Sequence, residues 1–231
     1  NRRPINLTGC PSTISVTFDD FPRTAISQGA RALEAKGWRA TFYTSGAFEG
    51  TTNHHGPQFV ASDLLGLEQS GHEIAGHTLE HVDCTRLSDE ELKAQIEGNR
   101  LALKSMGVKG DIENFAFPFG QMSPSLKRSL GQHYTSLRGI SDGVHKGRAD
   151  LNELLSCGFY SSTAEAVISR VKRLPKKGCW MTVFTHDIQD SPTQWGCTAG
   201  EFSRLLEAIE LTGVDVLPIR DALLKLESHN E

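Results

Sequence analysis

The sequence predicts an α/β domain in which about seven parallel strands alternate with helices around a distorted (β/α) barrel, complete or incomplete. Three observations predict it. Short apolar runs alternate with stretches of helical periodicity along the chain, the pattern of parallel strands joined by crossover helices. The 231 residues suffice for one domain with a full-sized core, taken here as residues 1–231. The polar clusters fall where apolar runs stop. A barrel and its alternative, a doubly wound open sheet, both build their sites at the carboxyl ends of strands.

Taken in order, Ile14–Phe18 is a strand ending in Asp19-Asp20, and a helix over Ala25–Ala35 follows, closed by Gly37. Ala40–Thr44 is the second strand, Ser62–Gln69 a helix and Glu73–Gly76 a short strand. Ser88 to Lys104 carries the strongest helical signal, because Ser88 and Glu91 form a capping box and Gly107 ends the run. Phe115–Phe117 is a strand, and Ser123-Pro124 opens a helix with proline in its first turn. Tyr134–Leu137 is a strand, Thr163–Arg173 a helix, and Trp180–Phe184 a strand stopping at Thr185-His186. Glu201–Leu211, Val214–Leu217 and Ile219–Leu226 complete the pattern as helix, strand and helix.

Composition narrows the function classes. A hydrophobic share of 38% with 23% charged residues describes a globular chain. A net charge of −4 gives no basic footprint for nucleic acid and leaves a neutral or cationic glycan open. No apolar run approaches a membrane span. The chain opens Asn-Arg-Arg-Pro with no visible leader, which fits a cytoplasmic protein or, with a leader removed, a periplasmic or secreted one. Cys10, Cys84, Cys157, Cys179 and Cys197 match neither a zinc CxxC site nor a disulfide framework and are expected to be reduced. Oligomeric state leaves no trace in the sequence.

Three clusters could carry chemistry. Asp19 and Asp20 are adjacent carboxylates leaving a strand, where the turning chain lets both reach one cavity; the ordinary alternative is an Asx-turn or helix cap. His77 and His81, four apart, would share one face of a helical turn and grip one divalent metal, with the Asp pair offering a third ligand; a pair of surface histidines is the alternative. His186, just past an apolar strand, suits a general acid, or else a ring satisfied by nearby backbone. Between them, Phe115–Gly120 is an apolar strand broken by Pro118 and Gly120. It reads as a shaped loop presenting a backbone N–H to an oxyanion, or as a plain turn.

With these pieces in this order, the chain resembles the polysaccharide deacetylases of carbohydrate esterase family 4, the NodB-homology domain, from about Ile14 to Leu224. Thr17-Phe18-Asp19-Asp20, Gly71 through His81, Ala116-Phe117-Pro118-Phe119-Gly120 and Val183-Phe184-Thr185-His186 look like its successive motifs. The resemblance implies a distorted barrel and removal of N-acetyl groups from the amino sugars of a carbohydrate polymer. It implies that Asp20, His77 and His81 hold a divalent metal, usually zinc and sometimes cobalt or nickel. Asp19 would be the base, His186 the acid, and the Phe119 N–H beside Pro118 an oxyanion donor.

The chain departs from the pattern at Ala116, where many members carry the arginine that orients the base. Arg138, past a predicted strand end, could approach from another loop, or be a solvated surface residue. Trp195, in the long polar segment 186–197, stacks on a sugar or packs its loop down; Asp187 is expected as a surface carboxylate or cap rather than a partner for a histidine ring. Residues 139–150 form a second candidate mouth loop with His145 exposed, His54-His55 read as loop surface, and His72 as structural. An O-deacetylase of an acetylated glycan, a small-molecule amidase and a carbohydrate-binding protein without turnover are the competing functions.

Overall fold

A computed structural model describes residues 2–230. Its frame is a set of parallel strands in chain order: β1 (Thr13–Asp19), β2 (Thr41–Thr44), β3 (Glu73–Gly76), β4 (Asn114–Ala116), β5 (Ser136–Arg138), β6 (Cys157–Gly158) and β7 (Cys179–Thr185). Around the sheet they run β6-β7-β1-β2-β3-β4-β5. That is the chain order closed on itself, as a barrel requires. At the seam β5 meets the segment ahead of β6 through a parallel bridge between Arg138 and Leu154 and the hydrogen bonds beside it, and no strand ladder joins β5 to β6 among the described residues, so the barrel is distorted there. Asp215–Val216 adds a short parallel pairing beside the start of β1.

Burial explains the strands. Every residue of β1 and of β7 is buried, as expected of parallel strands covered on both faces. Phe18 and Phe42 stack with ring centroids 4.9 Å apart, and Phe21 meets Phe42 edge-on. The helix predicted from Ala25 begins with π-type turns over Ala25–Ala30 and continues as an α-helix over Arg31–Glu34. Gly29 permits it: a Cβ there would lie 2.6 Å from the Phe18 ring. The helix Asp89–Ser105 has the predicted capping box of Ser88 and Glu91, and Gly107 follows its end with φ +97.

Several expectations need correction. The segment His77–His81 is not helical: Thr78 and His81 take positive φ, 60 and 52. Residues 139–150 do not stay at the mouth. Ile140 does, but His145–Lys146 pairs antiparallel with the beginning of β7, and Arg148–Asp150 pairs with Pro4–Asn6. That pairing buries His145 to 7% exposure, where its Nε2 accepts the Leu155 N–H at 2.9 Å. The fifth strand starts at Ser136 rather than Tyr134, whose N–H is still bonded back to the Leu130 carbonyl of the preceding helix. All five cysteines are buried and free. Among the described residues no helix is long and apolar enough to cross a membrane.

Candidate active site

The carboxyl ends of the strands converge on a cavity of ≈ 510 Å³ whose wall includes Asp19, Asp20, His77, His81, Phe119 and His186. Asp19 is the last residue of β1, His77 follows β3, Arg138 ends β5 and His186 follows β7. The sheet delivers groups that are far apart in sequence to one end of the barrel.

The backbone around the cavity is held in unusual conformations. Among the described residues, the non-glycine positions with positive φ are Asp20, Thr78, His81 and Phe119. Three of them line the cavity and Thr78 adjoins His77. Each such conformation costs about 1–3 kcal/mol and persists only where surrounding structure imposes it, and such residues cluster at functional sites. At Thr78 the side chain helps, its hydroxyl accepting the Val82 N–H at 3.2 Å. These kinks bring both imidazoles to Asp20 without a helix: His81 Nε2 lies 3.0 Å from Asp20 Oδ2, and His77 Nε2 lies 3.6 Å from Oδ1.

The donor set fits a divalent cation. His77 Nδ1 sits 2.7 Å from the Ala116 carbonyl, which can only accept, so Nδ1 carries the proton and Nε2 presents its lone pair to the cavity. Asp20 Oδ1 is buried with no hydrogen-bond partner. Burial, reinforced by Asp19 alongside, pushes the Asp20 carboxyl well above the usual carboxylate range, against the pull of Arg138. Burial pulls His77 down to about 3 and His81 down to about 2, so both rings are neutral. Two neutral imidazoles and a carboxyl group with one oxygen lacking a hydrogen-bond partner match the requirements of a three-ligand site with open positions.

Asp19 is held differently. Its Oδ2 is paired with Nη2 of Arg138, which is fully buried, while its Oδ1 has no hydrogen-bond partner. Arg138 lies opposite Ala116 in the parallel register of β4 and β5. Paired residues share a face of the sheet on strands about 4.8 Å apart, so Arg138 brings a guanidinium to Asp19 from the strand beside position 116. The guanidinium is clamped between the rings of Tyr43 and Phe184, 4.9 and 4.8 Å from their centroids, and Nη1 donates to the Gly139 carbonyl at 3.0 Å. Phe119 sits in the turn Pro118–Gly120, and its ring meets His81 edge-on at 4.4 Å. Trp195 is 43% exposed on the rim, against Tyr160.

His186 is half-buried; its Nδ1 donates to the Trp195 carbonyl at 3.1 Å, and burial pulls it to about 3, opposed by Asp19. Two neighbours were misplaced by sequence reasoning. His55, expected on the surface, is 2% exposed and stacks on His186 at 4.8 Å. Asp187, expected to be solvated, is fully buried and accepts from His55 Nδ1 at 3.0 Å. The hairpin formed by Thr52–Asn53 and Gly56–Pro57 carries His55 inward. A two-residue turn between polar residues has no apolar periodicity to reveal that. His72 is structural, as expected: Nδ1 accepts the Ala40 N–H and Nε2 meets Glu34.

The family model for polysaccharide deacetylase matches residues 7–135, more than half of the chain. The chain belongs to the polysaccharide deacetylase family. A chitin deacetylase from Pestalotiopsis sp. is 29% identical over 133 residues, 55% of this chain and 42% of that protein. The chain spans about half the length of the curated relatives it matches. The fold is that of the chitin deacetylase from Colletotrichum lindemuthianum, with a TM-score of 0.67 at 16% identity over 94% of this chain and 89% of that one. A family 4 pseudoenzyme from Bacillus anthracis also shares it, with a TM-score of 0.63 at 13% identity over 92% and 65%. Fold likeness to this family therefore does not decide turnover, which has to be argued from the site.

Proposed function

We propose that the protein hydrolyses N-acetyl groups on the amino sugars of an oligo- or polysaccharide, with Asp20, His77 and His81 holding a divalent metal, zinc by family resemblance. When bound, the metal lowers the pKa of a water molecule and polarises the acyl carbonyl. The observation that carries the proposal is the division of labour between two adjacent carboxylates. Asp20 faces two neutral imidazoles, whereas Asp19 is tied by one oxygen to a buried arginine and keeps the other free. Arg138 fixes the orientation of Asp19 through Oδ2, so that Oδ1 takes the proton of the attacking water.

The backbone N–H of Phe119 would steady the oxygen that gains charge as the acyl carbon becomes tetrahedral. The nitrogen of an amide must be protonated to leave. His186 delivers that proton from Nε2, since Nδ1 is engaged by the Trp195 carbonyl. In the free protein His186 is neutral, so the proton it passes on originates in the attacking water by way of Asp19. Trp195, Tyr160 and Phe119 offer aromatic faces at the cavity wall to a sugar ring. Relatives named chitin deacetylase and chitooligosaccharide deacetylase support an N-acetylglucosamine polymer as the substrate class.

The test is acetate release from N-acetylglucosamine oligomers, peptidoglycan and acetylated xylan, using metal-loaded and chelated protein beside Asp19→Asn. The proposal expects release from an N-acetylated glycan, lost on chelation and in Asp19→Asn, while that variant keeps its metal. Metal-loaded protein that releases acetate only from xylan would mean an O-deacetylase. No release from any of the three would favour a binding protein.

A further inference from the structure

Neither the metal triad nor the proton-transfer steps use His55 or Asp187, yet both are almost wholly buried at the cavity. Asp187 is unusually well held. It accepts from His55 Nδ1, from the Thr193 N–H at 2.8 Å, from the Thr193 hydroxyl and from Gln189 Nε2 at 2.9 Å. The chain also leaves it room: a Cβ at Gly196 would lie 2.5 Å from its carboxyl.

Both Asp187 oxygens already act as acceptors, Oδ2 from the Thr193 N–H and Gln189 Nε2 and Oδ1 from the Thr193 hydroxyl, so His55 Nδ1 is the donor to Oδ1 and Nε2 is the nitrogen left with a lone pair. This carboxylate–histidine arrangement is the support that metal-ligating histidines receive from behind. His186, stacked on His55 with 12° between the rings, is held the same way by the Trp195 carbonyl. One ligand atom from each of Asp20, His55 and His186 lies within 4.8 Å of the others, the span within which Asp20, His77 and His81 also fall. Two imidazole pairs thus flank one carboxylate.

We propose that His55, His186 and Asp20 form a second divalent-cation site beside the first, and that filling it withdraws His186 from proton transfer. The proposal rests on the deacetylase reading for the first site and for the role of His186. The second site is the weaker one, because its only anionic ligand is already shared with the first cation. The protein would therefore be activated by one equivalent of metal and inhibited by excess.

Equilibrium dialysis of chelated protein against Zn²⁺, with the bound metal counted by atomic emission, tests this directly. Two ions per chain are expected at saturation: a tight one lost in His77→Gln and a weaker one lost in His55→Gln. Asp187→Asn, which leaves both imidazoles in place, should weaken the second ion by about 10–100-fold. In a parallel titration, acetate release should rise to a maximum near one ion per chain and then fall, and the fall should vanish in His55→Gln. One ion per chain at every concentration, abolished by His77→Gln and untouched by His55→Gln or Asp187→Asn, would overturn the second site and leave the first standing. Binding of no ion would overturn both. The wild-type count decides the matter even if a variant fails to fold.

Discussion

Replacing Arg138 with Met removes the only cation in contact with Asp19 among the described residues, while keeping the bulk between Tyr43 and Phe184. The pair is buried on both sides, with Arg138 at 0% and Asp19 at 4% exposure. Breaking a buried ion pair by removing one partner costs about 3–5 kcal/mol, because the other charge is left uncompensated in low dielectric. Chelated Arg138→Met should therefore lose about that much stability in urea unfolding at pH 7. Asp19→Asn should lose a comparable amount, since it strands the guanidinium instead. The double variant leaves no buried charge at this pair, so it should lose much less than the sum, with a coupling of at least about 2 kcal/mol. In turnover, Arg138→Met should lower kcat by about 10²–10⁴-fold, the usual contribution of a positioned general base. Arg138→Lys should recover part of the stability but little of the rate, because an ammonium lacks the planar fork that sets the carboxylate's orientation. Additive stabilities within about 0.5 kcal/mol, or full activity in Arg138→Met, would refute the idea that Arg138 replaces the arginine missing at position 116.

Three further changes probe the rest of the site and its support. Trp195→Ala should raise KM several-fold with kcat nearly unchanged if the exposed indole binds sugar in ground and transition states alike; a loss confined to kcat would contradict that. Gly120→Ala forces a side chain onto a residue at φ +65, its Cβ only 2.2 Å from Ile140, so it should cost about 1–2 kcal/mol and lower kcat by displacing Phe119; unchanged kinetics would remove Phe119 from the oxyanion role. Burial pulls His145 down to about 4, where its Nε2 accepts a backbone N–H. In the unfolded chain the ring takes up its proton near 6.5, so its stabilising contribution is complete above that pH and is lost as pH falls from 6.5 towards 4. The difference in unfolding free energy between wild type and His145→Gln, measured across that window, should change by up to about 3 kcal/mol; a flat difference would show that the folded ring takes up its proton over the same pH range as the unfolded one.

Much of the architecture was legible because it rests on periodicity and punctuation. Largely apolar runs marked β1 and β7, the capping box marked the helix beginning at Asp89, and strand-helix alternation pointed to parallel order. Asp20, His77 and His81 were legible by residue type and order, although the reason offered for their convergence was wrong. A spacing of four suited a helical turn, but the chain reaches the same end with left-handed residues at Thr78 and His81. Spacing reports that two side chains can meet; it does not report the backbone that makes them meet. His55 and Asp187 were illegible for a related reason. Their burial depends on a hairpin and the segment after β7 folding over each other, contacts 132 residues apart that leave no local pattern.

On the deacetylase reading, Arg138 is a case in which a barrel holds a site constant while its motifs change. What Asp19 needs is a cation of fixed orientation at one height of the barrel wall. Position 116 on β4 and position 138 on β5 are register partners, so they stand at the same height and on the same face. A long side chain from either can reach the end of β1. The β5 position brings an advantage of its own, because the rings of Tyr43 and Phe184 both pack on the guanidinium, which is fully buried. The small side chain at Ala116 follows from this. It is fully buried against Tyr43 and Ala75, and its carbonyl is the acceptor that fixes the His77 tautomer. A second arginine at 116 would crowd the aromatic clamp and set two like charges beside one carboxylate. A motif scan that scores position 116 alone would therefore miss the guanidinium that the sheet register places beside Asp19 from the neighbouring strand.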